Sequence, residues 1–327
     1  ADELLDRAKE QAGKPRATIR EPLDEVAAPG HWRPPWSIAV IHVDGLINTG
    51  SSGRLPFGLL EVAGSDTLVK AIRKARESRD ISAIVLRVDS PGGSAFASEE
   101  IWREVQLTRG EKPVVVSMAS LAASGGYYVS CAADHIVANP STLTGSIGVY
   151  SGKVSLAGLY DKIGITSYHL QRGEHAGLYD LAEPWSPSEY RAVERIVDHL
   201  YADFIGHVRD GRGMDSIDQV DEVARGRVWT GAQALDAGLV DETGGLMRAV
   251  EVAREMSRIP PNAPVELVHM PRVGWLASLE LGKGFVALPD LPLPEELRAT
   301  LSGMVLMEMQ RERTPAMMWM PESEALE

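Results

Sequence analysis

Three short strings of small residues carry the hydroxyls and bare amides that chemistry could use. The first is Asp89-Ser90-Pro91-Gly92-Gly93. Adjacent glycines let a backbone turn sharply, and N–H groups bared at the start of a helix stabilise negative charge, so Gly92 and Gly93 are candidate oxyanion donors. A plain Pro-Gly turn between a strand and a helix would read the same way. The second string is Leu121-Ala122-Ala123-Ser124-Gly125-Gly126-Tyr127-Tyr128. One serine among residues small enough to admit a carbonyl has the logic of a nucleophile elbow, without the G-x-S-x-G spacing. The N–H of Gly125, directly after Ser124, would donate one oxyanion hydrogen bond, and that of Gly92 or Gly93 the second. Close helix packing would also call for Ala and Gly here. The third string, residues 139–149, offers Ser146, either a turn residue or a hydrogen-bond partner.

The surrounding pattern says how these strings are held. Apolar runs at residues 38–43, 83–88 and 113–118 alternate with helical segments, one through Leu68, Ile72 and Ala75 and one over residues 97–107. Continuous apolar strands separated by amphipathic helices predict a parallel sheet covered on both faces, with right-handed crossovers. The first two glycine-rich strings then sit at the C-terminal ends of successive strands, where open α/β sheets place ligands. Further along, the sequence predicts a helix from about residue 122, a strand at 135–138, a βα unit near 156–170 and a long helix over 187–209. A capped short helix stopped at Gly238 and a last helix over 246–256 follow. This divides the chain into a connecting segment at 1–37, an α/β domain at 38–258 and a Pro- and Met-rich tail at 259–327.

Composition narrows the function. Lys plus Arg number 33 against 46 Asp plus Glu, a net charge of −13, which argues against nucleic acid as a partner. The single cysteine, Cys131, excludes an intramolecular disulfide and a Cys-based zinc site, and the eight histidines show no metal-binding spacing, so no metal or cofactor is expected. No window approaches eighteen consecutive apolar residues.

Residues 112–150, KPVVVSMASLAASGGYYVSCAADHIVANPSTLTGSIGVY, resemble the core signature of the signal peptide peptidase A family, serine proteases with a Clp/crotonase-like fold, a ββα superhelix. The resemblance runs from about residue 38 through RVWTGAQALDAGLVDETGG at 227–245. It implies Ser124 as nucleophile, amides of the SPGG and SGG turns as oxyanion hole, and a lysine general base oriented by the Ser146 hydroxyl. Single-domain members carry that lysine three residues after a glycine; here the run is Gln171-Arg172-Gly173-Glu174-His175-Ala176, and Ala176 stands in its place. Long members hold two tandem copies of the fold, the first supplying the lysine and the second the serine, and this chain resembles the second. Lys153, Lys162, His169 and His175 are the alternative bases within the chain. The resemblance further implies apolar peptide substrates such as signal-peptide remnants, a homo-oligomer, and a place on the extracytoplasmic face of a bacterial inner membrane. The apolar Leu121, Tyr127 and Tyr128 would line the pocket for small or apolar side chains. Two rival readings are a proteolytically silent assembly module and crotonase-type acyl-CoA chemistry, the latter having no need of a serine at 124.

Overall fold

In the computed structural model, the described residues are 36–54 and 61–271, together with short strands at Thr18–Ile19 (β1) and Met317–Trp319 (β14). The expected connecting segment and most of the Met-rich tail lie outside them.

The chain builds the sheet by repeating one unit. Strand β2 (Trp36–Asp44) turns at Gly45 into β3 (Leu46–Asn48), and after β4 (Gly53–Arg54) and β5 (Glu61–Gly64) comes helix α1 (Ser65–Glu77). Strand β6 (Ile81–Ser90) passes through Pro91 into β7 (Gly92–Ser94) and helix α2 (Ala95–Arg109). In the third unit β8 (Val114–Ala123) leads through Ser124 alone into helix α3 (Gly125–Ser130). The long strands β2, β6 and β8 lie side by side and parallel in one sheet, while β3 and β7 enter a second, smaller one. This is the α/β fold of ββα units that the family resemblance implies, a mostly parallel sheet flanked by helices.

The larger sheet continues through β9 (His135–Ala138) and β10 (Leu143–Gly145), both parallel to β8. Past them come α4 (Ala157–Ile163), α5 (Pro187–Arg212), α6 (Ile217–Val223), β11 (Val228–Thr230), α7 (Gly231–Asp236), β12 (Glu242–Thr243), α8 (Leu246–Met256) and β13 (Val265–Met270). Strand β13 joins the sheet parallel to β2. The fold therefore runs past residue 258, the expected end of the domain: Val265 and Leu267 pack with Ile38, Val40 and α8 in a core of their own. The βα unit expected near 156–170 supplies helix α4 and no strand, and the helix expected from residue 122 begins three residues later because β8 continues through Ala123.

Both sheet faces are apolar because the strands are covered on both sides, as continuous rather than alternating patterns require. Ala39, Ile41 and Val43 face α1, α2, α3 and α5; Ile38 and Val40 face α8. Helix α5 opens with a full capping box at Ser186 and Glu189 and a proline at its first turn.

An ion pair fastens the end of α5 to the strand side. Arg212, only 6% exposed, holds Asp241 through both guanidinium nitrogens at 3.0 and 2.5 Å, and Asp241 also accepts the Ile136 N–H at 2.7 Å. Burial alone would push the Asp241 carboxyl up, but the bonds and charge of Arg212 and the Ile136 amide outweigh it and hold the carboxyl below its ordinary value. The stabilisation is therefore present above the unfolded carboxylate range near pH 4 and is lost as the pH falls through the lower folded value. Asp241→Asn should cost roughly 3 kcal/mol at pH 7 by leaving a buried guanidinium without its counter-charge. Denaturant titrations should also show the variant losing less stability than the parent between pH 5 and pH 2, in units of about one pH step.

Candidate functional site

Strand register brings the predicted hydroxyls together. Gly145 of β10 pairs with Ala123 of β8, so Ser146 and Ser124 are the next residues on neighbouring parallel strands, spaced by about 4.8 Å between chains. Both leave their strands in a conformation rare for residues with a Cβ, φ +51° at Ser124 and +47° at Ser146. The Ser124 N–H donates to the Gly145 carbonyl at 2.9 Å and the Ser146 N–H to the Arg227 carbonyl at 2.7 Å, which fixes each turn to the strand beside it. Such strain at a strand-to-helix turn persists only where surrounding structure enforces it. Ser124 is 1% exposed, and its Oγ has no hydrogen-bond partner among the described residues.

The two glycine-rich turns converge as expected. A Cβ on Gly125 would lie 3.2 Å from both the Gly92 Cα and the Gly93 N, and 2.6 Å from the Ser98 Oγ. Gly93, at φ +149°, has no room on its other side either, since a Cβ would fall 2.0 Å from the Ile47 carbonyl oxygen. Of the two candidate donors on β7, the Gly92 N–H is taken by the Ser90 Oγ at 3.1 Å, whereas the Gly93 amide stands beside Gly125. The turn that carries Ser124 and Gly125 thus packs directly against the Gly93 amide, inside the protein. Ser90 belongs to the first string but has no role of its own there, and Ser98 lies outside all three strings. Ser98 donates to the Ser94 carbonyl at 2.9 Å, so its oxygen is held against Gly125.

Of the three residues expected to line an apolar pocket, only Leu121 is partly exposed; Tyr127 and Tyr128 lie in the core at 0% and 3%. Their hydroxyls are engaged there. Tyr127 donates to the Leu239 carbonyl at 2.9 Å, and Tyr128 donates to Glu99 at 2.6 Å. Burial raises both phenols well above their usual value. Glu99 also meets His207 Nε2 at 3.1 Å, and the His207 ring stacks on Trp102 with centroids 3.6 Å apart, so this cluster ties α2, α3 and α5 together. Burial pushes the lone cysteine, Cys131, up to about 12, a thiol that stays protonated.

Three of the four alternative bases are engaged elsewhere. Lys153 lies over the Trp185 ring at 5.8 Å, His175 meets the Ser188 hydroxyl at 2.9 Å, and His169 bridges Ser167 at 2.5 Å and Asp180 at 2.6 Å. Lys162 is in the last turn of α4. Ala176 borders a cavity of about 440 Å³ with Tyr160, Ser167, His169 and Asp180. Among the described residues no group of three or more His, Cys, Asp or Glu side chains could hold a metal, and no helix is long and apolar enough to cross a membrane.

A mostly parallel α/β sheet with a strained, buried serine between two glycine-rich turns defines the class. The model of peptidase family S49 matches residues 106–259. A putative protease of Synechocystis sp., slr0021, is 31% identical over 218 residues, 65% of this chain and 78% of that protein. The chloroplastic serine protease SPPA of Arabidopsis thaliana is 39% identical over 285 residues, 82% of this chain, and Protease 4 of Haemophilus influenzae is 39% identical over 227 residues, 69% of this chain. The chain belongs to the S49 family of serine peptidases. It spans only 42% of the length of the chloroplastic relative and 36% of that of Protease 4.

The crowding at Gly125 has a measurable cost. Gly125→Ala should lower stability by about 2 kcal/mol, in the range of overpacking substitutions, while Gly152→Ala, where a Cβ meets nothing within 4 Å, should leave it unchanged. Denaturant midpoints of the two variants against the parent check this.

Proposed function

We propose that this chain is the nucleophile-bearing half of a serine endopeptidase acting on apolar peptides such as cleaved signal peptides. The observation that carries the reading is Ser124 itself: a hydroxyl with no partner among the described residues, at a strained turn, beside the amides of Gly125 and Gly93. In this reading the Ser124 Oγ attacks the scissile carbonyl as its proton passes to a base. The oxyanion that forms receives hydrogen bonds from the Gly125 and Gly93 amides, with Gly92 shaping the turn; it collapses as the C–N bond breaks and the protonated base gives its proton to the leaving amine, and water then hydrolyses the acyl-enzyme. Leu121 borders the bound side chain.

The base is a neutral lysine from an N-terminal copy of the fold, oriented by the Ser146 hydroxyl one strand away from Ser124. Two observations support an outside source: Ala176 at the family position, and the engagement of Lys153, His169 and His175 with other groups. The much greater length of the two long relatives leaves room for such a copy. Assembly with further copies is supported by residues 150–170, where Leu159, Ile163, Ile165, Tyr168 and Leu170 are all exposed and α4 buries nothing. A site on the extracytoplasmic face of a bacterial inner membrane is part of the same proposal. That the Ser124 hydroxyl has no partner among the described residues equally favours a silent assembly module, and labelling separates the two.

With an N-terminal lysine-bearing copy added in trans or by fusion, a fluorophosphonate probe should label the chain, and Ser124→Ala should abolish both labelling and peptide hydrolysis while leaving thermal unfolding unchanged. A general base contributes about 10²–10⁴-fold, so the chain without that copy should be slower by this factor. The restored rate should rise with pH, since the lysine serves as base only once it has lost its proton, and burial lowers the pH at which it does so. Labelling that persists in Ser124→Ala would move the nucleophile elsewhere; no labelling of the assembled parent would favour the silent module.

A further inference from the structure

Strand β8 does not run evenly to Ser124. From the pair Val88 and Met118 to the pair Ser90 and Ala122, β6 advances two residues and β8 four, so β8 carries two extra residues and bulges at 119–121. A bulge re-aims the residues that follow it and interrupts the ladder that would otherwise satisfy the backbone. Here side chains from both flanking segments take up that backbone. On the β6 side, Arg87 donates to the Met118 carbonyl at 3.3 Å, and Asp89 accepts the Leu121 N–H at 3.1 Å. On the β10 side, Thr142 donates to the Ala119 carbonyl at 2.5 Å and Thr144 to the Ala122 carbonyl at 2.7 Å. Both threonines are buried.

Thr144 occupies the decisive place among them. Its hydroxyl holds the Ala122 carbonyl, two residues before Ser124, while the next residue, Gly145, accepts the Ser124 N–H at 2.9 Å, and Ser146 follows directly. The same hydroxyl lies 3.4 Å from the Met118 sulfur, so both ends of the bulge meet at this one side chain. The positive φ of Ser124 and of Ser146 needs enforcement from outside, and the segment from Thr144 to Ser146 supplies it to both. We propose that Thr144 is a positioning residue, its buried hydroxyl locking the end of the β8 bulge and with it the placement of the Ser124 hydroxyl relative to that of Ser146. Without that hydroxyl the Ala122 carbonyl loses a donor where water does not reach, and the bulge is held at one end only. The consequence for reaction rate rests on the peptidase reading above; the clamp on the bulge does not.

Three variants of the full chain test this. Thr144→Val keeps the shape and removes the hydroxyl, and Thr144→Ser keeps the hydroxyl. Thr108→Val removes another buried threonine bond, to the Glu104 carbonyl at 2.7 Å, at the far end of α2. With the lysine-bearing copy present, the maximal rate of fluorophosphonate labelling should fall roughly 10–100-fold in Thr144→Val while the half-saturating probe concentration stays the same, since misplacing a reacting group costs rate rather than binding. Thr144→Ser should recover most of the parent rate, and Thr108→Val should keep it. An undiminished rate in Thr144→Val would overturn the proposal; so would a Thr144→Ser rate as low as that of Thr144→Val, which would reduce the threonine to filling space. Hydrogen exchange at the amides of residues 122–124 needs no catalysis and should quicken about tenfold in Thr144→Val but not in Thr108→Val. A parent that takes no label would sink the peptidase reading and leave the clamp to be decided by exchange, where unchanged rates at 122–124 overturn it.

Discussion

The contact on which the rest of the structure depends is that of glycine on glycine between the turn after β6 and the turn after β8. Gly125 approaches Gly92 and Gly93 so closely that a single carbon added to it would collide with the Ser98 hydroxyl, and Gly93 is pressed from its other side by the Ile47 carbonyl. Backbone amides are fixed dipoles, and their usefulness to a developing negative charge depends on their holding position without reorganising. Here position is held by sterics. Neither turn can shift without displacing β3 or α2.

That rigidity is transmitted by register. Gly145 opposite Ala123 sets the two serines on adjacent strands, and the amide bonds from Ser124 to Gly145 and from Ser146 to Arg227 stitch β8, β10 and the segment before β11 into one unit. A shift of one residue in a strand would send every side chain to the opposite face, and with both faces apolar and packed such a shift is heavily penalised. Glu99 joins Tyr128 and His207, which anchors α3 against α2 and α5. Burial would raise the Glu99 carboxyl, yet the His207 and Tyr128 bonds hold it below its ordinary value, so the cluster keeps its charge in place.

Residues 150–181 contrast with this body. Their apolar side chains find no interior, and titratable groups in them pair with one another, His169 with Asp180 and His175 with Glu174. A protein whose sheet is so fully covered gains little by leaving Leu170 and Tyr168 bare unless another surface receives them.

Much was legible in the sequence because it is local. Runs such as Ala83 to Val88 are apolar enough to read as strands covered on both faces, and Pro91-Gly92-Gly93 and Ser124-Gly125-Gly126 read as the sharp breaks that follow such strands. Three things were decided by tertiary structure alone. Tyr127 and Tyr128, read as pocket walls beside Ser124, turn into the core because α3 starts so close to the sheet that successive residues of its first turn face inward, where Leu239 and Glu99 take their hydroxyls. Strand β13 joins the sheet beyond the expected end of the domain, since its partner β2 lies more than two hundred residues earlier and pairing at that distance leaves no periodic trace. Finally, Gly92 and Gly93 read alike in sequence, and only the packing of Ser90 under one and Gly125 beside the other tells them apart: a hydrogen bond between side chain and amide depends on where the backbone puts them, not on their order in the chain.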